Sequence, residues 1–180
     1  ESVGVPLIIR QPGYIAGGQV DKSRFINNGL DLYATILDYA NAPQSDDRFG
    51  LSLRPILERD DAVTWRDALI AETFFKLSHP RYSRGRMVRT ERYKYIVYEW
   101  GQYREQLFDM QEDPGEMVNL AIEARYTGIL QQHRDALRDW CEKSGDNFGH
   151  HFTHPDVTFV MPDETPAEKA HYWQDWQAKT

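Results

Sequence analysis

The stretch Gly85–Leu120 alternates apolar and polar residues in a way that predicts a small antiparallel meander. Within it, Tyr93–Tyr98 is β-branched and aromatic, a composition typical of a strand. Because successive side chains of a strand point to opposite faces, three residues are predicted to share one face: Tyr93, Tyr95 and Val97. A shorter strand at Gln106–Phe108 precedes the turn residues Asp113–Gly115.

A preceding strand extends the meander into a small α+β domain. Ala68–Phe75 is predicted to be the first strand, so that the sheet has about four antiparallel strands, with the second beginning at Met87. Glu72 lies in the middle of the first strand. It is expected to pair with Arg86 or Arg89 across the sheet rather than to act in catalysis.

A helix is predicted to cover one face of this sheet. Its apolar positions recur at helical spacing: Ile129, Leu130, His133, Leu137, Trp140 and Cys141. His133 is therefore expected to be a hydrogen-bonded, partly buried histidine. Asn119 is expected to cap a helical turn before this helix. Gly145 suits its C-terminal end, because glycine accepts the left-handed backbone conformation common there.

The N-terminal part has a different pattern. Val5–Arg10 is a nearly continuous apolar run, typical of a strand that is buried on both faces in a helix-covered sheet. The chain thus begins almost inside a strand and without an initiator methionine, which suggests a fragment. Asp31–Asn41 is predicted to be a helix with Asp31 as its N-cap. The apolar stripe of this helix is Leu32, Tyr33, Ile36, Leu37 and Ala40.

Composition and charge narrow the possible functions. The formal net charge is -7 and no long basic run occurs. This argues against a nucleic-acid partner, because its phosphates require clustered cations. The basic segment Arg81–Lys94 contains tyrosines and could be taken for a single-strand-binding platform, but its alternation fits a sheet equally well. Cys141 is the only cysteine, which excludes an internal disulfide and a cysteine-rich zinc site. No apolar run approaches the length of a membrane span.

Several segments follow one another in an order and spacing that are family-specific. In the C-terminal half they are Arg86–Ile96, Glu105–Asp109, Asp113–Glu116 and Asn119–Leu120. In the N-terminal part they are Val5–Gly13, Asp31–Asp38 and Gly50–Leu57. Together they resemble the C-terminal portion of the type I sulfatases, which belong to the alkaline-phosphatase-like superfamily. Ala34 stands where that family usually has proline.

The resemblance implies an α/β parent fold, of which this chain holds three parts. Residues 1–61 would be the end of the large α/β domain, and residues 62–145 the small C-terminal α+β subdomain. Residues 146–180 would be an extended tail with a terminal helix, which begins at the capping box Thr165–Glu168. The N-terminal sulfatase domain is the expected partner. Sulfatases of this kind are often extracytoplasmic or lysosomal.

The activity that the resemblance implies is hydrolysis of a sulfate ester. It requires a formylglycine nucleophile, made from Cys or Ser in Cys/Ser-x-Pro-x-Arg, and a divalent cation, usually calcium, with oxygen ligands. Cys141 is followed by Glu142 and Lys143, and neither it nor any serine stands in that motif. No catalytic residue and no metal ligand is therefore assigned. Formylglycine and calcium are expected in the N-terminal part, and this chain alone is expected to be inactive.

Substrate contact is the role that the resemblance leaves to this chain, because the small domain of sulfatases closes one side of the pocket. A predicted loop after the first strand carries four basic residues: Lys76, His79, Arg81 and Arg84. These side chains are expected to pair with a sulfated small molecule or glycan, or with another anion, if they converge. The alternative is an exposed basic loop without a ligand.

Other candidate sites are weaker. His150, His151 and His154 have a spacing compatible with metal ligands, but Pro155 and Phe152 oppose a regular helix there, which favours a mobile or packed tail. Two acidic pairs are interpreted as solvated loops: Asp46–Asp47 and Asp60–Asp61. For the whole protein, two alternatives stay open. One is a phosphonate or phosphate ester hydrolase of the same superfamily, and the other is a non-catalytic binding module derived from a sulfatase.

Overall fold

The computed structural model describes residues 4–45, 49–59, 63–78, 81–99 and 103–148, with the backbone alone at 76–78 and 81–82. The chain divides into two compact units, Glu1–Asp67 and Ala68–Thr180. The first unit contains two helices: α1, Asn28–Tyr39, and α2, Arg54–Leu57. The second contains four strands: β1, Leu69–Ser78; β2, Arg81–Arg89; β3, Tyr93–Tyr98; and β4, Glu105–Asp109. The 3-10 turns Leu120–Ile122 and Ala124–Tyr126 then lead into α3, Thr127–Ser144.

Helix α1 begins earlier than the sequence predicts, and its N-cap is Asn27 rather than Asp31. The Asn27 side chain accepts hydrogen bonds from the backbone N–H groups of Gly29 and Leu30, at 3.0 and 3.2 Å. These are two of the donors that a helix start leaves without an intrahelical partner. Asp31 lies in the first turn of the helix, fully buried.

The buried face of α1 is largely polar, and the predicted apolar stripe is wrong. Tyr33 and Ile36 are 49% and 67% exposed, whereas the buried residues are Asp31, Ala34 and Thr35. The physical reason is that α1 packs against extended backbone, whose N–H groups need acceptors. The Thr35 hydroxyl accepts a hydrogen bond from the Leu53 N–H at 2.8 Å.

The strand predicted at Val5–Arg10 is absent from the first unit. These residues have no regular secondary structure. A strand buried on both faces requires neighbouring strands, and among the described residues the sheet found consists of β1 to β4 alone. The segment Gly50–Leu57, one of those that carry the family resemblance, contains α2, which has Pro55 near its start.

The second unit contains the predicted antiparallel meander, with the strand order β1-β2-β3-β4. Its first hairpin is longer than predicted, because β1 continues to Ser78 and β2 begins at Arg81. The predicted basic loop from Lys76 to Arg84 is therefore wrong. Lys76 lies in β1, while Arg81 and Arg84 lie in β2. The ladder between the two strands continues through these polar residues, with a register irregularity between positions 76 and 78.

Helix α3 covers one face of the sheet, as the sequence predicts. The core combines strand residues with residues on or after α3: Val88, Tyr95, Val97, Leu107, Leu120, Leu130, Leu137, Cys141 and Phe148. Tyr95 and Val97 are both fully buried, which confirms their predicted common face. Gly145 ends the helix with a φ of +72°, the left-handed conformation expected there.

Some predictions fall outside the described residues. These concern the tail with its capping box at Thr165–Glu168, the histidines His150, His151 and His154, and the acidic pairs Asp46–Asp47 and Asp60–Asp61. They stay predictions, as do the proposed domain boundaries at residues 61 and 145.

Candidate functional site

The first hairpin projects beyond the four-stranded part of the sheet. Strand β3 pairs with β2 only from Gly85 to Arg89, whereas β1 pairs with β2 along its whole length. Beyond this ladder, the Glu99 N–H donates one hydrogen bond to the Arg84 carbonyl at 2.8 Å. Residues 74–78 and 81–84, which we call the ribbon, thus form a two-stranded projection.

The ribbon carries three of the four basic residues predicted to contact the substrate. Lys76 pairs with Tyr82 in the backbone register, and Arg81 pairs with Ser78. Arg84 lies at the base of the ribbon, while His79 falls outside the described residues. Their role in substrate binding stays a prediction.

Arg84 is held by a set of internal contacts at the base of the ribbon. Its guanidinium donates to both carboxylate oxygens of Glu99, at 3.0 and 3.3 Å. It also donates to the side-chain oxygen of Asn147 at 3.2 Å, and its Cζ lies 5.9 Å from the centre of the Phe148 ring. The Arg84 charge is therefore balanced by Glu99. These contacts place Arg84 to stabilise the base of the ribbon.

Arg86 lies deeper at the same base and makes more contacts than the predicted pair with Glu72. Its Nη2 lies 3.4 Å from the Glu72 carboxylate, which confirms the predicted pair across the sheet. Its Nε donates to the Asp146 carboxylate at 2.7 Å, and its Cζ lies 4.7 Å from the Phe148 ring centre. Burial is the largest single influence on Asp146 and works against its ionisation. The hydrogen bonds from Arg86 and from the Phe148 N–H, together with the Arg86 charge, outweigh it and lower the pKa of this carboxyl.

Two phenylalanines are exposed on the ribbon. Phe74 and Phe75 are neighbours in β1, with exposed fractions of 63% and 47%. Successive residues of a strand point to opposite faces, so Phe74 and Phe75 place one exposed ring on each face of the ribbon. Large apolar side chains that are exposed next to one another are a feature of binding surfaces.

A second polar cluster lies inside the sheet–helix layer. The Tyr95 hydroxyl donates to a Glu105 carboxylate oxygen at 2.6 Å, and the Arg134 Nε donates to the same oxygen at 2.8 Å. Burial raises the pKa of Tyr95 well above its usual range. Burial also works against the Glu105 charge, but the hydrogen bonds from Arg134 and Tyr95 lower the pKa of Glu105 overall. The side chains of Tyr95, Glu105 and Arg134 bind one another, so we assign them a structural role.

His133 is buried and hydrogen-bonded, as expected. Its Nδ1 lies 2.8 Å from the Ile129 carbonyl and its Nε2 lies 3.1 Å from the Thr90 hydroxyl. A carbonyl can only accept, so Nδ1 carries the proton and Nε2 is left to accept from Thr90 in the neutral ring. Burial lowers the pKa of His133.

Several residues of the segments that carry the family resemblance hold loops in place through hydrogen bonds. Lys94 donates to both oxygens of Glu116 at 2.7 Å. The Asp113 carboxylate accepts from the backbone N–H groups after Glu116. The Asn119 side chain joins the Leu107 N–H, at 3.0 Å, to the start of the first 3-10 turn, which it caps as predicted.

Within the described part of the chain, no group of three or more His, Cys, Asp or Glu side chains is placed to hold a metal ion. In the same residues, no helix is both long enough and apolar enough to cross a lipid bilayer.

Comparison with known proteins gives a consistent result. Residues 1–143 match the family model described as N-sulphoglucosamine sulphohydrolase, C-terminal. The Delta 4,5-hexuronate-2-O-sulfatase of Bacteroides thetaiotaomicron is 33% identical over 148 residues, which is 82% of this chain and 30% of that protein. The chain therefore spans less than a third of this relative's length.

Solved structures agree with this match. A structure from Bacteroides thetaiotaomicron with a provisional sulfatase assignment has a TM-score of 0.70 and 28% identity, over 87% of this chain and 32% of that one. A protein solved with its substrate D-glucosamine-2-N,6-O-disulfate has a TM-score of 0.58 and 26% identity, over 72% of this chain and 25% of that one.

The phosphonate monoester hydrolase of Agrobacterium radiobacter is similar in fold alone, with 23% identity and a TM-score of 0.51, over 63% of this chain and 24% of that one. The fold is thus similar to proteins of both branches, but the match in sequence lies with the sulfatases. This chain belongs to the N-sulphoglucosamine sulphohydrolase C-terminal family, within the sulfatases of the alkaline-phosphatase-like superfamily.

Proposed function

We propose that this chain is the C-terminal part of a sulfuric ester hydrolase that removes sulfate from a sulfated sugar. Support comes from the relatives: one is a hexuronate 2-O-sulfatase, another is an N-acetylglucosamine-6-O-sulfatase, and a third was solved with a disulfated glucosamine. All three act on or bind sugars, so a sulfated saccharide is the substrate class we assign.

In this proposal the chemistry is divided between two parts of the whole protein. The sequence has no Cys/Ser-x-Pro-x-Arg motif, and the described residues form no cluster suited to a metal ion. Formylglycine and calcium would therefore be supplied by an N-terminal sulfatase domain, where the metal would polarise the sulfate group. The present chain would be inactive by itself.

The role of this chain would be to support the fold and to contact the substrate through the ribbon. The observation that carries this role is the projection of the ribbon beyond β3, with Lys76, Arg81 and Arg84 in its strands. Phe74 and Phe75 add exposed rings to the same ribbon. A sulfated sugar matches this chemistry, because its ring has apolar faces and its sulfate is an anion that basic side chains bind.

The test is sulfate release by the full-length protein from a 2-O-sulfated unsaturated heparin disaccharide, glucosamine-2-N,6-O-disulfate and 4-nitrophenyl sulfate. A phosphonate monoester serves as the comparison. We expect sulfate release from at least one saccharide, with a higher KM in Lys76→Ala and Arg81→Ala. Hydrolysis of the phosphonate ester without sulfate release would move the protein to the phosphonate branch. Binding of the saccharides without turnover would instead support a non-catalytic module.

A further inference from the structure

The three residues that follow the C-terminal cap of α3 contact two alternate arginines of β2. Asp146 accepts a hydrogen bond from Arg86 at 2.7 Å, and Asn147 accepts one from Arg84 at 3.2 Å. The fully buried Phe148 ring lies 4.7 Å from the Arg86 guanidinium carbon and 5.9 Å from that of Arg84. We call residues 146–148 the clamp.

The clamp is itself fixed to the end of α3. The Asp146 N–H donates to the Cys141 carbonyl at 2.9 Å. The second carboxylate oxygen of Asp146 accepts from the Phe148 N–H at 3.1 Å, and Gly145 turns the chain with a φ of +72°. Helix α3 packs in the core, so the clamp gives Arg86 a carboxylate at a defined position.

The ribbon needs such a support because it extends past the other strands. A two-stranded hairpin is marginally stable in water without further packing. Arg86 is 7% exposed and lies one residue before the point where the β2–β3 ladder ends, so it connects the base of the ribbon to the core. Its second partner, Glu72, is in β1, which ties the other strand of the ribbon to the same guanidinium.

We infer that Asp146 is a positioning residue, which holds the ribbon in place through Arg86 and thereby sets how the ribbon meets the substrate. The first half of this inference concerns the fold of the second unit alone. The second half rests on the proposed function, in which the ribbon contacts the saccharide. Asp146 would act on KM rather than on the chemical step, because it is placed to set the orientation of the ribbon and not to touch the reacting sulfate.

The experiment compares Asp146→Asn, Asp146→Glu and the control Asp139→Asn in the full-length protein. The control makes the same chemical change at an exposed position of α3. Two quantities are measured: amide hydrogen exchange in the four strands, and the kinetic constants kcat and KM for the heparin disaccharide.

In Asp146→Asn we expect exchange of the ribbon amides to rise by about tenfold, with β3 and β4 unchanged. We expect KM to rise about fivefold with little change in kcat, and Asp146→Glu to recover most of the loss.

The two measurements separate the inference from the proposed function. If Arg81→Ala raises KM but Asp146→Asn changes neither KM nor ribbon exchange, the inference is wrong and the proposed function stands. If neither Arg81→Ala nor Lys76→Ala changes KM, the proposed role of the ribbon is wrong, and exchange alone then decides whether Asp146 positions the ribbon. A uniform rise in exchange across all four strands would show general destabilisation and would overturn the positioning role.

Discussion

The carboxylate of Asp31 is paired with the guanidinium of Arg66 through two hydrogen bonds, of 2.5 and 2.6 Å. The Asp31 side chain is fully buried and that of Arg66 is 16% exposed. Asp31 also accepts from the backbone N–H groups of Asn27 at 2.6 Å and Leu51 at 2.9 Å. One carboxylate therefore joins the start of α1 to the segment before α2 and to the end of the first unit.

Replacing Asp31 by Asn should strongly destabilise the first unit. The variant leaves the Arg66 charge without its carboxylate in a largely buried place, and breaking a buried pair in this way costs about 3 kcal/mol. The measurement is the free energy of unfolding of the first unit, from chemical denaturation of the full-length protein. Asp38→Asn is the matched control, because its side chain is 35% exposed and its pair with Arg54 is a surface pair. Equal losses in the two variants would contradict the role assigned to Asp31.

Gly50 should not tolerate even a methyl group. A Cβ at this position would lie 2.3 Å from the Leu30 carbonyl oxygen and 2.7 Å from its carbon. Because these are backbone atoms of α1, the segment would have to move away from the helix, at a cost of about 1–3 kcal/mol. The measurement is the free energy of unfolding of Gly50→Ala. Gly17→Ala, with nothing within 4 Å of its added Cβ, should stay within about 0.5 kcal/mol of the wild type.

The meander and α3 could be predicted because their signals are local. The alternation at Tyr93–Tyr98 indicates which face of a strand is buried, and the spacing from Ile129 to Cys141 indicates which face of a helix is buried. Glu72 and Arg86 could be paired for the same reason, since neighbouring strands of a hairpin bring opposite charges together.

The buried face of α1 and the clamp could not be predicted in this way. Asp31 and Thr35 are buried because they bind backbone N–H groups of Leu51 and Leu53, and hydrophobic periodicity does not detect such polar burial. Asp146 follows the end of a helix and resembles an ordinary loop residue in sequence. The only local signal for its role is the spacing of Arg84 and Arg86, two cations on one face of β2.

His133 should make the protein less stable in mild acid. Its folded pKa lies below the model-peptide value of 6.5 because of burial, so the unfolded chain binds the proton first as the pH falls. The stabilisation that depends on the neutral His133 ring is therefore fully present above the ordinary pKa of 6.5 and is lost as the pH falls toward the folded pKa.

The measurement is the free energy of unfolding at several values between roughly pH 7.5 and pH 5, for the wild type and His133→Gln. Thr90, Tyr93, Tyr95 and the Ile129 carbonyl surround the ring in the described residues. The wild type should lose more stability than the variant over this range. Parallel pH profiles would show that the ring is charged equally easily in the folded and unfolded states.

The network of Tyr95, Glu105 and Arg134 should show unequal losses when its members are replaced. Tyr95→Phe removes one neutral donor and leaves the pair of Glu105 with Arg134, at a cost of about 1 kcal/mol. Glu105→Gln should cost more, about 2–3 kcal/mol, because Arg134, 18% exposed, loses its carboxylate and the charge-assisted bonds.

The folded pKa of Glu105 is below its ordinary value of 4.5, so the Glu105 contribution is present above that value and is lost as the pH falls through the folded pKa. Denaturation of both variants at neutral and acid pH measures this, with the exposed Glu142→Gln as control. The difference in the free energy of unfolding between the wild type and Glu105→Gln should therefore shrink in acid. A difference that stays constant with pH would mean that the carboxylate charge does not stabilise the network.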